Sequence, residues 1–502
     1  MRKFFFSLLA LLAITGAAIF YFTQDANRFK PELEALIAEQ TGVPVKIEGD
    51  LGWRLFPPIL LTAEKLSAEH EGRRWQLGRL ALDIDVMTLI EDLDHWRIQA
   101  LTIEDLTMED GGDRLEVSHL KLEGFAFGEP ALLATTLNYQ PAGAPAIPLD
   151  LNGTLTYHPE PERYALSNVR FNTTDAEGIC SLALQANTEP VTPAPQNADE
   201  LIPVDTFREY AWQGTCTLDQ LTYDDQTFTD VSIVLDNKNA VSSNDISIPV
   251  FFGGTAQVKV VIDAATTPVH WTIEPRLEKV NSQLLMEWLD QRLQWIASLA
   301  YGGTLSMTGN TEQELLASVS GETRFDGGQG QINIVKIKQQ LLRIALLLNE
   351  TDKVTALPDM WSYQRLVGNW RIDEQHHELD FALDNLTVLA EGDYNPETDK
   401  LDLLAELTFE NNPDLPVFDI NPMLMYLPIP VRCRGSIADP TCRIDDRAAQ
   451  KIVASALASP DSPLHAKLEK KIEEKVPEEY QEAARAILDL LGGSREKRSR
   501  EN

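Results

Sequence analysis

Apolar residues recur at every second position over long stretches of this chain. The clearest run is Leu401 to Phe409, where Leu, Leu, Ala, Leu and Phe share one parity and acidic residues lie between them. The stretches 80–86, 147–157 and 379–383 repeat the pattern. A period of two is that of a β-strand, so each run predicts a strand with one apolar and one polar face. We predict a mainly β chain of about twenty to twenty-five mostly antiparallel strands, which in one continuous sheet would extend on the order of 100 Å.

A few helical segments interrupt the strand pattern. We predict helices over residues 27–40, 281–299, 338–349 and 448–458. A last helix, from Ser462 to Leu491, is amphipathic, is divided by Pro477 and ends at a glycine pair. We expect its apolar stripe to dock against one end of the sheet and to protect a free edge there. A membrane-surface role is the alternative, which the Glu-rich face of this helix disfavours for anionic membranes.

The segment Phe4 to Phe22 holds nineteen residues without a charge, and only Met1, Arg2 and Lys3 precede it. As a helix it would cover roughly 28 Å, close to the hydrocarbon core of a bilayer. A cleaved secretory signal peptide is the alternative, but the run is longer than a usual signal core and lacks a small-x-small cleavage site. We therefore expect a retained membrane anchor. Flanking charges do not orient it, and a three-residue tail places the body of the chain on the exported side.

The chain is strongly acidic, with 43 Lys and Arg against 77 Asp and Glu and a net charge of −34. Such a surface repels phosphate backbones at long range, so nucleic acid is a poor candidate partner. Hydrophobic residues make up 43% of the chain. That fraction is sufficient for a sizeable core, and we interpret the charge as a device for solubility.

Four cysteines form two pairs that are local in sequence, Cys180 with Cys216 and Cys433 with Cys442. Three connectivities are possible. We favour a Cys433–Cys442 bridge because a glycine and a proline between them predict a turn. Local disulfides indicate an oxidising compartment such as a bacterial periplasm, and buried free thiols are the alternative. The spacing of Cys433 and Cys442 is not a zinc pattern.

No pattern in the sequence predicts catalysis. The nucleophile elbow, the zinc-protease motif and the phosphate-binding loop are absent. His376 and His377 are adjacent, and adjacent residues of a strand point to opposite faces, so we interpret them as a solvated turn rather than a metal site. We expect a protein that is not an enzyme and that has no catalytic, cofactor or metal site.

Two regions resemble the AsmA family of bacterial envelope proteins. The first is 42–108, with GVPVKIEGDLGWRLFPPILLTAEKLSA, WQLGRLALDIDVMTLI and IQALTIEDLTM in order. The second is 250–342, which includes FFGGTAQVKVVID, GGTLSMTGN and LLASVSGETRFDGGQGQINIVKI. In the second region Lys336 and Lys338 stand where the family pattern has Gly and Asp. The two regions cover about a third of the chain, and their order and spacing carry the resemblance.

The resemblance implies a single-pass bacterial inner-membrane protein with the bulk of its chain in the periplasm, a chorein-like N-terminal module and an elongated, curved, taco-like antiparallel β-sheet groove. From this resemblance together with the residue patterns described above, we predict these segments: a cytoplasmic tail (1–3), a transmembrane anchor (4–22), the chorein-like AsmA module (23–125), the β-groove body (126–445), a C-terminal helical segment (446–491) and a disordered tail (492–502). The residues alone support only a sheet with one apolar face.

We expect the apolar face to carry phospholipid or another envelope lipid between the inner and outer membranes, or otherwise to support outer-membrane biogenesis. The candidate groove-facing residues are Phe381, Leu401, Leu403, Leu407 and Phe409. The same face could instead pack against helices such as 281–299. Two other functions stay open: a non-enzymatic scaffold that binds outer-membrane assembly proteins through sheet edges, and, less favoured, a secreted β-solenoid or adhesin.

Overall fold

The computed structural model describes residues 25–54, 59–70, 72–84, 97–187, 200–347, 351–411, 428–436, 440–444, 463–477 and 480–484. Within these ranges the chain is mainly β, with 25 strands, every ladder between them antiparallel, and few helices. The predicted fold class is confirmed at this level. The predicted anchor from Phe4 to Phe22, the helix 448–458 and the tail 492–502 lie outside the described residues.

The chain divides into two compact units, one formed by 1–192 and 206–240 and the other by 193–205 and 241–502. The strands of the first unit are β1 (Val45–Ile47), β2 (Leu51–Arg54), β3 (Ile59–His70), β4 (Arg73–Ile84), β5 (Ile98–Asp110), β6 (Asp113–Phe125), β7 (Ala131–Gln140), β8 (Ile147–Pro159), β9 (Glu162–Asn172), β10 (Ala176–Ala186), β11 (Tyr210–Tyr223) and β12 (Gln226–Lys238). Both β1 and β2 pair with β3, and from β3 to β12 each strand pairs with the next.

The strands of the second unit are β13 (Val241–Phe251), β14 (Gly254–Asp263), β15 (His270–Asn281), β16 (Trp295–Thr308), β17 (Ser320–Asp326), β18 (Gly330–Asn333), β19 (Met360–Tyr363), β20 (Leu366–Asp373), β21 (His376–Leu383), β22 (Leu386–Asn395), β23 (Lys400–Phe409), β24 (Ile429–Gly435) and β25 (Thr441–Ile444). The order is sequential from β13 to β17, β17 then pairs with β20, and the order is sequential again to β25. The short strand β18 pairs with the start of β16 and with β19.

The helices are α1 (Lys30–Thr41), α2 (Val204–Glu209), α3 (Ser282–Trp288), α4 (Glu312–Ala317), α5 (Val335–Leu347), α6 (Thr351–Thr355) and α7 (Pro463–Lys475), with a 3₁₀ turn (Ala26–Phe29) before α1. None of the helices in the described ranges is both long and apolar enough to cross a bilayer.

The predicted helix 281–299 is wrong over its second half. Only Ser282–Trp288 is helical, and the chain from Trp295 onward is strand β16. The Asn281 side chain caps α3 by accepting from the N–H groups of Gln283 and Leu284. The later apolar residues alternate in burial, as a strand requires, and their pairing with β15 overrides the helical pattern.

The predicted N-terminal helix begins differently from expectation. Asn27, the first residue of the predicted helix and a candidate cap by residue type, does not cap it. Asp25 accepts the N–H of Asn27 and caps the 3₁₀ turn, while the Asn27 side chain accepts the N–H of Leu51 at 2.9 Å. Gly42, at φ 72°, ends α1 in the left-handed conformation that glycine adopts readily. Asn27 thus fixes the turn against strand β2 instead of starting a helix.

A tightly packed core lies in the second unit around β19, β20 and α5. Tyr363, Leu341 and Leu386 are almost completely buried. The indole N–H of Trp295 donates to the Tyr363 hydroxyl at 2.6 Å, and that hydroxyl donates to the Gly327 carbonyl at 3.3 Å. This core is the reference for judging how closely other apolar surfaces are covered.

Candidate functional site

Apolar residues of the first unit line up directly across neighbouring strands. One cross-strand row runs Leu61, Leu82, Leu101, Leu122 and Leu133, one residue from each of β3 to β7. A second row runs Ala63, Leu80, Ile103, Leu120, Thr135, Leu151 and Phe171, from β3 to β9. A third runs Leu66, Leu77, Leu106, Val117, Leu137 and Leu149. Residues paired across an antiparallel ladder share a face, so these rows form one surface, which we call the apolar face of the first unit.

Matching irregularities on neighbouring strands hold these side chains on one face, because Lys65 of β3, Gly78 of β4 and Asp105 of β5 are each left out of the pairing at the same level. Lys65 and Asp105 have positive φ, and each follows a glutamate, so two polar residues in succession occupy the other side before the apolar alternation resumes. Gly78 lies beside Asp105, where a Cβ on Gly78 would be 2.8 Å from the Asp105 Cβ. The absence of a side chain at Gly78 therefore lets β4 and β5 stay paired through the irregularity.

Most side chains of this face are only half-buried, unlike those of the core around Tyr363. Half-buried side chains occur even in the interior of the strands, at Leu80, Leu101, Ile103 and Leu120. Helix α1 packs on strand β1 and on the 3₁₀ turn before it. In the described part of the first unit, the apolar face thus remains accessible over several adjacent strands.

The opposite face of the same strands is charged, with acidic and basic residues opposed across the ladders. Arg79 lies between Glu64 and Glu104, and Arg74 lies between Glu69 and Glu109. Arg74 and Arg79 form ion pairs with the two residues on β5 at 3.9 and 3.7 Å. These exposed pairs contribute little stability individually. They keep one face of the sheet hydrated while the other is apolar.

The five predicted groove-facing residues share one face of the second unit, as the register shows. Phe381 and Leu407 both pair with Val388, from opposite sides, and Leu403 pairs with Gly392. Leu401 pairs with Tyr394 and Phe409 with Leu386. Their exposure differs. Phe409 is 0% exposed, Leu407 7% and Leu401 9%, whereas Phe381 and Leu403 are half-buried. The first three are therefore covered in this structure, and Phe381 and Leu403 remain within reach of a ligand.

Both predicted disulfides are present, Cys180–Cys216 and Cys433–Cys442, and the described residues contain no free cysteine. Each joins residues that are directly opposite on adjacent strands, β10 with β11 and β24 with β25. Cys180 follows the apolar parity of β10 with Leu182, and Cys433 pairs with Leu403. The two bridges therefore lie on the apolar side of their sheets.

The polar face of β20–β23 holds a cavity of about 760 Å³ lined by acidic residues and by His376. His376 Nδ1 is 3.0 Å from the Asp393 carboxylate, and this hydrogen bond raises the pKa of His376 above its ordinary value. His377 points to the other face, where it accepts the indole N–H of Trp370 at 3.2 Å, and burial lowers its pKa. Among the described residues no group of three or more His, Cys, Asp or Glu side chains is placed to hold a metal ion.

An ion pair also marks the polar face of β23 and β24. The carboxylate of Asp402 accepts hydrogen bonds from Arg432 at 2.7 Å and from Arg434 at 3.1 Å. These bonds, Arg432 first, hold the pKa of Asp402 below its ordinary value. Asp402 adjoins two predicted groove-facing residues in sequence, yet its charge is on the other side of the sheet.

Sequence reasoning missed part of the apolar face. Leu77, Leu106 and Val117 belong to it, although they break the parity of Leu80, Ile103 and Leu120 on the same strands. The available signal was two successive residues without an apolar side chain at each change of parity, namely Gly78 and Arg79 on β4, Glu104 and Asp105 on β5, and Ser118 and His119 on β6.

No curated protein and no solved structure matches the chain. The family model described as the AsmA family matches residues 1–118, which include strands β1 to β5 and the start of β6. Over this N-terminal part, the chain is similar to the AsmA family.

Proposed function

We propose that this protein carries phospholipid acyl chains on the apolar side of its sheets, as a non-enzymatic envelope protein anchored in the bacterial inner membrane by residues 4–22. The acyl chains would lie along the apolar face while headgroups remain in water, and the protein would move lipid between the inner and outer membranes or otherwise support outer-membrane biogenesis. The observation that carries this proposal is the series of half-buried apolar rows that crosses β3 to β9. The similarity of residues 1–118 to an envelope-associated family supports the same role.

The energetics of the apolar face favour a lipid tail as its ligand. Each methylene removed from water contributes about 0.8 kcal/mol, so a chain that contacts several strands gains enough to replace the bilayer interior. Cross-strand rows run from strand to strand without a charged residue in them, which gives an acyl chain a continuous apolar path. A surface of this kind can bind an acyl chain without a specific contact to the headgroup. The opposite side of the sheet is charged and faces water.

A competing interpretation is that the apolar face is an ordinary core surface. In the second unit, the core around Tyr363 and Leu386 shows what full coverage looks like, with side chains that are almost completely buried. The central leucines of the first unit do not reach that state. This contrast within one chain favours a ligand-binding surface in the first unit.

The proposal is tested by photo-crosslinking at neighbouring positions of opposite face. A photoreactive residue would replace Leu101 or Leu120 on the apolar face, and Thr102 or Lys121 on the polar face, in the full chain in its native membrane. All four side chains are half-buried, and Thr102 pairs with Lys121 as Leu101 pairs with Leu122, so the pairs differ in face and not in burial. We expect phospholipid adducts roughly tenfold more abundant at the two leucine positions.

Equal labelling of both faces would overturn the proposal. A stoichiometric protein adduct without phospholipid would favour the scaffold for outer-membrane assembly proteins instead. Phospholipid adducts at the leucine positions, with neither phospholipid nor protein adducts at the polar positions, would support the proposal and exclude a general membrane contact.

A further inference from the structure

Two neighbouring connections of the second unit meet at the same end of their strands, which we call the edge of the sheet here. The β13–β14 hairpin turns at Phe252–Gly253, and helix α3 with the segment after it joins β15 to β16. The backbone N–H of Asn281, which caps α3, donates to the Phe252 carbonyl at 2.9 Å. The hairpin turn and the helix are therefore in direct contact.

Apolar side chains cover the outer side of this contact. The Trp288 ring lies 5.6 Å from the Phe252 ring between centroids, and Leu284 is one helical turn before Trp288 on the same side of α3. Leu284 is 45% exposed and Leu289 47%. We call Phe252, Leu284, Trp288 and Leu289 the apolar edge patch.

Residues on the inner side of α3 hold the helix in place. Leu285 and Ser282 are buried, and the Ser282 hydroxyl donates to the Trp295 carbonyl at 2.7 Å and accepts the N–H of Ala297 at 2.8 Å. The attachment of α3 therefore does not depend on Leu284 or Leu289. Exposed apolar residues that are not needed for packing, grouped in this way, indicate an interaction surface.

The charge around the patch is balanced, in contrast to the rest of the chain. Residues 276–292 carry three basic side chains, Arg276, Lys279 and Arg292, and three acidic ones, Glu278, Glu287 and Asp290. Residues 249–254 carry none. A chain with a net charge of −34 thus presents a locally neutral surface here, which suits an uncharged or zwitterionic partner surface.

The patch also continues the apolar face of the second unit, the face that holds Phe381 and Leu407, to the sheet edge. Ile246 and Ile248 pair with Val258 and Ala256 on that face. Phe251 is buried and follows them along β13, and its ring lies 6.1 Å from that of Trp288. An acyl chain could therefore move from the outside of the edge onto the sheet without crossing a charged side chain.

From the exposure, neutrality and continuity of the apolar edge patch, we infer that it rests on the surface of a phospholipid bilayer with zwitterionic headgroups and that lipid passes between bilayer and sheet at this edge. The inference rests on the proposed function, since a lipid path to the edge has a use only if the sheet carries lipid. Tryptophan and phenylalanine beside leucine are the side chains that settle at the boundary between headgroups and acyl chains.

The test uses the full chain reconstituted in phosphatidylcholine vesicles, with further phosphatidylcholine vesicles added outside. A photoreactive residue replaces Leu284 or Leu289, and the control is Leu389, which is 51% exposed but pairs with Asp380 and Glu406 on the polar face. We expect roughly tenfold more phosphatidylcholine adduct at the two patch positions than at Leu389. Equal labelling, or crosslinks from the patch only to a second copy of the chain, would overturn the inference.

A probe at Leu101 in the same vesicles separates this inference from the proposed function. Lipid adducts at Leu101 with none at the patch would overturn the edge inference and leave lipid carriage standing. Adducts at neither position would overturn both. As a second measurement, Leu284→Glu combined with Leu289→Glu should lower the lipid crosslink yield of a photoreactive residue at Phe252, while Leu389→Glu should leave that yield unchanged. Circular dichroism verifies that each variant is folded.

Discussion

The two disulfides should stabilise their units unequally because they close loops of different length. Cys180 and Cys216 are 36 residues apart in sequence, and Cys433 and Cys442 are 9 apart. In the chain-entropy description, closing these loops stabilises the folded state by about 3.8 and about 2.6 kcal/mol, respectively. Replacing both cysteines of one pair by alanine should therefore cost about 1.2 kcal/mol more for the first pair than for the second.

The comparison between the pairs removes most other contributions. Each double variant loses two sulfur atoms from half-buried positions on adjacent strands, so the loss of packing is similar in both. The difference between their unfolding free energies therefore measures the effect of loop length. The assay is urea unfolding followed by far-UV circular dichroism under non-reducing conditions. Unfolding free energies and slopes are fitted separately for the transitions of the two units.

The result that would refute this reasoning is a Cys433→Ala and Cys442→Ala variant that loses as much stability as the Cys180→Ala and Cys216→Ala variant, or more. Reducing agent provides the control. It should destabilise the wild-type chain, which has two bridges, and each double variant, which keeps one. It should leave the stability of a variant that lacks all four cysteines unchanged.

Three further predictions follow from other parts of the structure. Tyr363→Phe removes the hydroxyl that accepts a buried indole N–H at 2.6 Å, and should lower the unfolding free energy of the second unit by about 1–3 kcal/mol in urea titrations. Asp393→Asn should return the raised pKa of His376 toward its ordinary value of 6.5 in an NMR titration of the ring protons; in the wild type, the stabilisation from protonated His376 should be complete below that value and lost as the pH rises through the folded-state pKa. Ile103→Glu should reduce the phospholipid recovered with the purified chain, because it places a charge within a cross-strand apolar row, whereas Thr102→Glu on the opposite face should not.

The strand pattern and its faces could be predicted from the sequence because alternation directly reflects the geometry of a strand. The run from Leu401 to Phe409 forms β23 as expected, with its apolar residues on one side. The Cys433–Cys442 bridge was also predictable, because a glycine and a proline lie between the two cysteines and favour a turn. What alternation could not give is where the parity changes along a strand, because Lys65, Gly78 and Asp105 are left out of the pairing on neighbouring strands and leave no periodic signal.

Tertiary contacts decided the remaining differences. The segment from Trp295 to Leu299 has helix-compatible spacing, but its pairing with β15 and β18 makes it a strand. Phe409 has the same parity as Leu403, yet it is completely buried at the end of β23, beside Leu386. Period alone identifies the apolar side of a strand; which residues of that side stay accessible depends on segments distant in sequence.

Native mass spectrometry of the full chain, purified in mild detergent, tests most directly whether the apolar face holds acyl chains. The comparison is between the wild type and the Ile103→Glu variant, with circular dichroism to verify that both are folded. We predict that the wild type retains phospholipid and that the variant retains less, since the same membrane segment is present in both and cannot account for a difference. Equal phospholipid on the two proteins, or none on either, would contradict the account.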